Sequence, residues 1–157
     1  MQSVFTRRPV GAGPRIVLTY GTFDLFHYGH VALLKRARAL GDRLIVGVST
    51  DAFNAVKGKR AFLSYAQRCE TLLGCRHVDS VFAEESWDQK PGDVERYGAH
   101  VFVMGDDWKG KFDHLSQWCS VVYLPRTPTI SSTLLRTVLK PHFDAEAGPA
   151  ALHVQQA

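Results

Sequence analysis

Residues 21–30, Gly-Thr-Phe-Asp-Leu-Phe-His-Tyr-Gly-His, gather side chains suited to handling an anion: two imidazoles three positions apart, a hydroxyl and a carboxylate. They follow an apolar run at 16–20 and precede a helical pattern at 31–40. That order predicts a strand, a tight glycine turn and a helix start, which aims backbone N–H groups at a negatively charged group. At this spacing His27 and His30 share one side of the first helical turn. Each can donate a hydrogen bond to a phosphate oxygen, and each gains charge if protonated. A blander reading stands beside this one. A histidine near a helix start can be a cap, and Asp24 can bond its own backbone in an Asx-turn. The combination is more specific than its parts.

The elements that must position these residues are legible as alternating patterns. Strand-like apolar runs occur at 16–20, 44–48, 80–83, 101–104 and 121–124, with helical patterns at 31–40, 64–73, 91–97 and 132–139. Gly41 supplies a stop for the first helix. Near-continuous apolar strands alternating with helices predict an α/β fold, a Rossmann-like parallel sheet with helices on both faces. Ligands of such sheets bind beyond the carboxyl ends of the strands. The polar clusters obey that rule: Gly21, Ser49-Thr50-Asp51, Gly105-Asp106-Asp107 and Arg126-Thr127 each follow a strand. Lys57-Gly58-Lys59-Arg60 reads as a loop after the second strand, where a basic run is ordinarily a solvated surface. The hydroxyls of Thr129, Ser131, Ser132 and Thr133 fall where the last helix begins, so capping is their default role. Unsatisfied N–H groups at such an end also attract phosphate.

The string Gly-Thr-Phe-Asp-x-x-His-x-Gly-His resembles the signature of the cytidylyltransferase branch of the nucleotidyltransferases. Residues 126–133, Arg-Thr-Pro-Thr-Ile-Ser-Ser-Thr, are similar to that family's second signature, Arg-Thr-x-Gly-Ile-Ser-Thr-Thr. Residues 49–54 and 103–108 resemble the glycerol-3-phosphate cytidylyltransferase subfamily, and the likeness runs from about 16 to 136. The resemblance implies an HxGH-type nucleotidyltransferase converting CTP and sn-glycerol 3-phosphate to CDP-glycerol and pyrophosphate. It implies triphosphate contacts from His27, His30, Lys59 and Arg126, which would carry catalysis. Thr22, Phe23, Thr127, Ile130, Ser131, Ser132 and Thr133 would complete the CTP site. Asp107 would accept from the exocyclic amine of cytosine, where uracil presents a carbonyl. Lys57, Lys90, Arg68 and Arg76 would serve the acceptor; for the two arginines, salt bridging or solvation is the default alternative. Mg²⁺ is the implied cofactor, with Asp24 its candidate ligand, weighed equally against the Asx-turn. Trp87 and Trp108 read as packing residues. Thr129 departs from the family's glycine, which would strain a positive-φ turn. A homodimer and a supply of activated glycerol for teichoic-acid-like or capsular polymers are also implied.

Composition bounds these readings. At 157 residues the chain is expected to form one domain at 15–140, between a flexible arm at 1–14 and a weakly ordered tail at 141–157. A net charge of +4, not gathered into one run, suits a polyanionic substrate and gives little support to nucleic-acid binding. Cys69, Cys75 and Cys119 show no zinc spacing and fit a reducing cytoplasm. No apolar stretch approaches the roughly 20 residues of a membrane span, so no membrane insertion is expected. The rivals are a different small polyol phosphate as acceptor, an ATP-using adenylyltransferase or FAD synthase-like enzyme, and a nucleotide- or RNA-binding module without turnover.

Overall fold

The computed structural model describes residues 13–128 and 130–146. Its elements run β1 (Ile16–Gly21), α1 (Tyr28–Arg38), β2 (Arg43–Ser49), α2 (Asp51–Val56), α3 (Tyr65–Leu73), β3 (Ser80–Glu84), α4 (Lys90–Arg96), β4 (Val101–Gly105), β5 (Ser120–Leu124) and α5 (Ser132–Glu146). Short 3₁₀ turns at Asp106–Trp108 and Asp113–Gln117 lie between β4 and β5. The strands form one five-stranded sheet of order β3-β2-β1-β4-β5, and every pairing is parallel. The order reverses between β1 and β4, so the crevice of this doubly wound sheet opens beside the carboxyl end of β1.

Alternation within each strand sends side chains to two cores. Val17, Val46, Val48, Val101 and Val103 pack with Leu34 and Ala37 of α1 and Leu72 of α3. Leu18, Tyr20, Phe102 and Met104 pack on the opposite face with Val94 of α4 and with Phe112 and Leu115. Each such fully buried Val or Leu contributes about 1.5–3 kcal/mol of transfer free energy. With both faces covered, the strands carry apolar side chains on each side, hence their continuous apolar character.

The five expected strands form within a residue or so of their predicted ends. Helix α2 was not anticipated: at six residues it is too short to show a hydrophobic period. Its signal is the cap, Thr50 Oγ1 accepting from Phe53 N–H at 3.1 Å. The basic run 57–60 therefore follows α2 rather than β2 directly. Gly41 acts differently from expectation, because α1 is capped at Ala39. A Cβ on Gly41 would lie 2.6 Å from the Arg15 carbonyl oxygen, so glycine is required by close approach. Helix α5 continues through Pro141 to Glu146, past the expected domain end. Most of the N-terminal arm, the last part of the tail and Thr129 lie outside the described residues.

Candidate active site

The turn after β1 is built from strained backbone and mutual caps. Phe23 and Leu25 adopt φ of 53° and 50°, the left-handed region that bulky side chains rarely enter. His27 is the N-cap of α1: its Nδ1 accepts from Gly29 N–H at 3.0 Å. His30 Nδ1 accepts in turn from His27 N–H at 3.3 Å. The capping and phosphate-handling readings are therefore one arrangement, because using Nδ1 as acceptor places the proton of each neutral ring on Nε2. Both Nε2 atoms face one point. Ser132 Oγ lies 3.3 Å from His27 Nε2 and 3.4 Å from His30 Nε2, and spends its own proton on the Asp24 carbonyl at 2.8 Å. The glycine between the histidines is required by contact: a Cβ on Gly29 would meet the His27 ring at 2.8 Å.

The rings stack with centroids 3.8 Å apart, which disfavours charging both. Burial, then the neighbouring His27, pushes His30 down to about 3, with Asp24 opposing. Burial also lowers His27. At neutral pH the pair is thus a set of uncharged, aimed donors.

Around this point lies a cavity of about 380 Å³ along the carboxyl edge of the sheet. The β1 turn contributes Thr22, Phe23, Asp24, His27 and His30, and the basic loop contributes Lys57 and Lys59. Asp107 comes from the 3₁₀ turn after β4, and Arg126, Thr127, Ile130, Ser131, Ser132 and Thr133 from the segment leading into α5. Ser131 Oγ also caps α5, accepting from Leu134 N–H at 3.1 Å. Asp107 and Arg126 are more than half exposed and pair with each other at 3.3 Å. Such an exposed pair is worth about 0–1 kcal/mol, so a ligand can part it at little cost. Gly58, at φ 68°, gives the Lys57–Lys59 loop a backbone that other residues disfavour.

Four expectations meet a different geometry. Asp24 does not fit a magnesium ligand. Fully buried, it accepts from Phe62 N–H at 2.8 Å and Leu63 N–H at 3.0 Å, and Arg136 Nε lies 3.3 Å from Oδ2. These bonds tie the histidine turn to the basic loop and to α5. Among the described residues no group of three or more His, Cys, Asp or Glu could hold a metal ion. Arg68 is fully buried and donates to Thr22 O and Ser49 O at 2.8 Å each, to Leu63 O at 3.2 Å, and to Asp51 Oδ1 at 2.8 Å. It buttresses two site turns from behind and does not line the cavity. Arg76 is exposed on the connection from α3 to the amino end of β3, the opposite edge of the sheet. Lys90 also lies behind the cavity wall, 1% exposed, with Nζ 2.5 Å from Glu84 Oε1.

Sequence reasoning missed Glu84 and the aromatic wall. Glu84 ends β3 and is buried; its other oxygen takes the Ser49 hydroxyl at 2.5 Å. Ser49 Oγ in turn accepts from Lys57 Nζ at 2.9 Å. Burial lowers the Lys57 ammonium, and Glu84 opposes that effect. Tyr20, Trp87 and Trp108 line the cavity as well, so the tryptophans pack and also face the site. The position of Glu84, one residue past an apolar run at a strand's carboxyl end, was the available signal.

A parallel sheet in this order, with a double-histidine helix cap at its switch point, defines the Rossmann-like nucleotidyltransferase class. The chain matches the cytidylyltransferase-like family model over residues 18–138. It is 54% identical over 120 residues to the glycerol-3-phosphate cytidylyltransferase of Bacillus subtilis (strain 168), covering 76% of this chain and 93% of that protein. It is 32% identical over 146 residues to the ethanolamine-phosphate cytidylyltransferase of Arabidopsis thaliana, covering 84% of this chain and 35% of that one. The crystal structure of the lipopolysaccharide core biosynthesis protein from Thermoplasma volcanium GSS1 superposes with a TM-score of 0.63 at 24% identity, over 73% of this chain and 98% of that one, a likeness of fold. This chain belongs to the cytidylyltransferase-like family.

Proposed function

We propose that the cavity transfers a cytidylyl group from CTP to sn-glycerol 3-phosphate, giving CDP-glycerol and pyrophosphate. The observation that carries this reading is the pair of neutral imidazoles whose Nε2–H groups converge on one point at the sheet's switch point. A phosphate oxygen of the acceptor attacks the α-phosphorus in line. The new P–O bond forms as the bond to the α,β-bridging oxygen breaks, and the electron pair leaves with pyrophosphate. No protein nucleophile is needed, so positioning and electrostatics supply the catalysis. His27 and His30 donate to the phosphate oxygens at which charge grows, taking the place Ser132 Oγ now fills. Arg126 and Lys59, both exposed at the cavity, supply positive charge for the triphosphate. Asp107 meets the cytosine amine once freed from Arg126. Lys57, at the β2–β3 end, faces the acceptor.

Magnesium enters the proposal as a companion of the triphosphate, since the buried Asp24 carboxylate is already taken by Phe62 and Leu63 N–H groups and by Arg136. The ion characteristically binds phosphates through few protein ligands and several waters. Free Cys69, Cys75 and Cys119 agree with a reducing cytoplasm. No helix among the described residues is long and apolar enough to cross a membrane. A homodimer feeding teichoic-acid-like or capsular polymer synthesis completes the reading; light scattering tests the assembly. The decisive experiment incubates the protein with CTP or ATP, Mg²⁺ and a panel of polyol and sugar phosphates, identifying products by mass. CDP-glycerol is the expected dominant product. Consumption of ATP in preference to CTP, or RNA binding without turnover, overturns the reading.

A further inference from the structure

Arg136 reaches the cavity from the second turn of α5, one turn beyond Ser132 on the same face of that helix. Its Nε lies 3.3 Å from Asp24 Oδ2, and Asp24 is itself fixed by the N–H groups of Phe62 and Leu63. Nη1 and Nη2 of this half-buried guanidinium have no hydrogen-bond partner among the described residues. The carboxylate behind it thus orients the cation without consuming its outer donors. Arg126 differs, being exposed and paired with the equally exposed Asp107. A guanidinium held through Nε presents planar N–H groups that match two oxygens of a phosphate.

In-line displacement decides which phosphate that is, because the leaving group departs on the side away from the attacking oxygen. The acceptor end is walled by Tyr20, whose ring packs on the α4 side of the sheet. Helices α1 and α3 cover the other side. Arg136 is tied there: Asp24 precedes α1, and the N–H groups it accepts from precede α3. Once a ligand displaces Ser132 from the imidazoles, phosphates beyond the α position lie one helical turn further on, at Arg136.

We propose that Arg136 binds the pyrophosphate portion of the nucleotide: Asp24 anchors Nε while Nη1 and Nη2 hold the β- and γ-phosphates. When the bond to the α,β-bridging oxygen breaks, its electron pair goes to pyrophosphate, and this cation meets the charge that gathers there. The proposal rests on the nucleotide lying against the imidazoles, as the proposed function has it, and on the side from which the acceptor attacks; the binding test below needs no particular acceptor.

The test measures Kd for CTP, CMP and pyrophosphate, each with Mg²⁺, by calorimetry. It compares wild type, Arg136→Gln and Arg136→Lys, with a thermal melt of each free protein. Gln keeps an N–H for Asp24 but loses the charge and the fork. Arg136→Gln should weaken CTP and pyrophosphate by about tenfold or more, the worth of lost charge-assisted bonds. CMP lacks the phosphates concerned and should change by less than about threefold. Arg136→Lys keeps the charge on one ammonium that cannot serve Asp24 and two phosphate oxygens together, so its losses should fall between. A merely structural role would lower the melting temperature and weaken CTP and CMP by the same factor, which overturns the proposal. A folded Arg136→Gln protein with unchanged CTP binding overturns it too. If neither variant folds, a wild-type crystal soaked with pyrophosphate decides. Pyrophosphate within hydrogen-bond reach of the guanidinium supports the proposal; pyrophosphate elsewhere, or none, overturns it. A wild type that binds no CTP refutes the proposed function, and this proposal with it. A loss confined to CTP and pyrophosphate, in a protein that makes no CDP-glycerol, supports this proposal and refutes the acceptor alone.

Discussion

The two ends of the cavity handle charge in opposite ways. At the histidine end Arg126 and Asp107 are exposed and weakly paired, and the half-buried donors, His27 and His30, are neutral, while the buried Asp24 carboxylate is tied to backbone N–H groups behind them. At the β2–β3 end the ions are interior: Lys90 and Glu84 are almost fully buried, Arg68 is fully buried, and each has its partners within the chain. Burying an ion is costly unless it is paired and hydrogen-bonded, so the second arrangement must be complete before any ligand arrives. The first arrangement leaves donors and cations to be completed by a ligand. Exposed charge here meets substrate, and buried charge shapes the space that substrate enters.

This contrast predicts where substitutions fall. Arg68→Leu should carry the largest cost, in stability: it strips the donor from Thr22 O, Ser49 O and Leu63 O, and about 3–5 kcal/mol should be lost in denaturant melts. A variant as stable as wild type would break the distinction between the ends. His30→Ala should do the reverse, lowering kcat by about 10²–10³-fold, the range for one preorganised transition-state donor. Wild-type turnover would remove the imidazole pair from the chemistry. Asp107→Asn should cost little stability because its ion pair is exposed, yet shift CTP-over-UTP preference by about 10–100-fold, measured as a ratio of kcat/KM values. An unchanged ratio would move base selection elsewhere.

The last effect is absent at neutral pH and emerges only on acidification. His30 is held at about 3 in the fold, below the ordinary 6.5, so between those values the unfolded chain binds a proton that the native state does not. Stability from this group is complete above about pH 6.5 and is lost as pH falls towards 3, with His27 adding in the same direction. His30→Asn should flatten the stability slope between about pH 6.5 and 4.5; a slope equal to wild type's would contradict the shift.

Much of the histidine end was legible in the sequence, because its chemistry is carried by short contiguous strings. Residues 21–30 and 126–133 each pair a chemical side chain with a helix start, and the strand pattern put both at one sheet edge. The other end is assembled from single residues far apart: Ser49, Glu84 and Lys90 meet only when β2, β3 and α4 pack. A buried lysine and a surface lysine read alike in one sequence, so nothing there showed Lys90 paired to Glu84, whereas for Arg68 the salt-bridging alternative is the one its contact with Asp51 bears out. Arg76 failed for a topological reason, lying before a strand instead of after it. Asp24 shows the limit of local reading. An Asx-turn and a metal ligand were weighed for it, and its actual partners are 38, 39 and 112 positions away.

A crystal structure with CTP bound would show whether the paired imidazoles hold the nucleotide. The triphosphate should lie against His27 Nε2 and His30 Nε2, with Ser132 Oγ displaced from between them and cytosine beside Asp107. Nucleotide density remote from both imidazoles, with the Ser132 contacts intact, would contradict it.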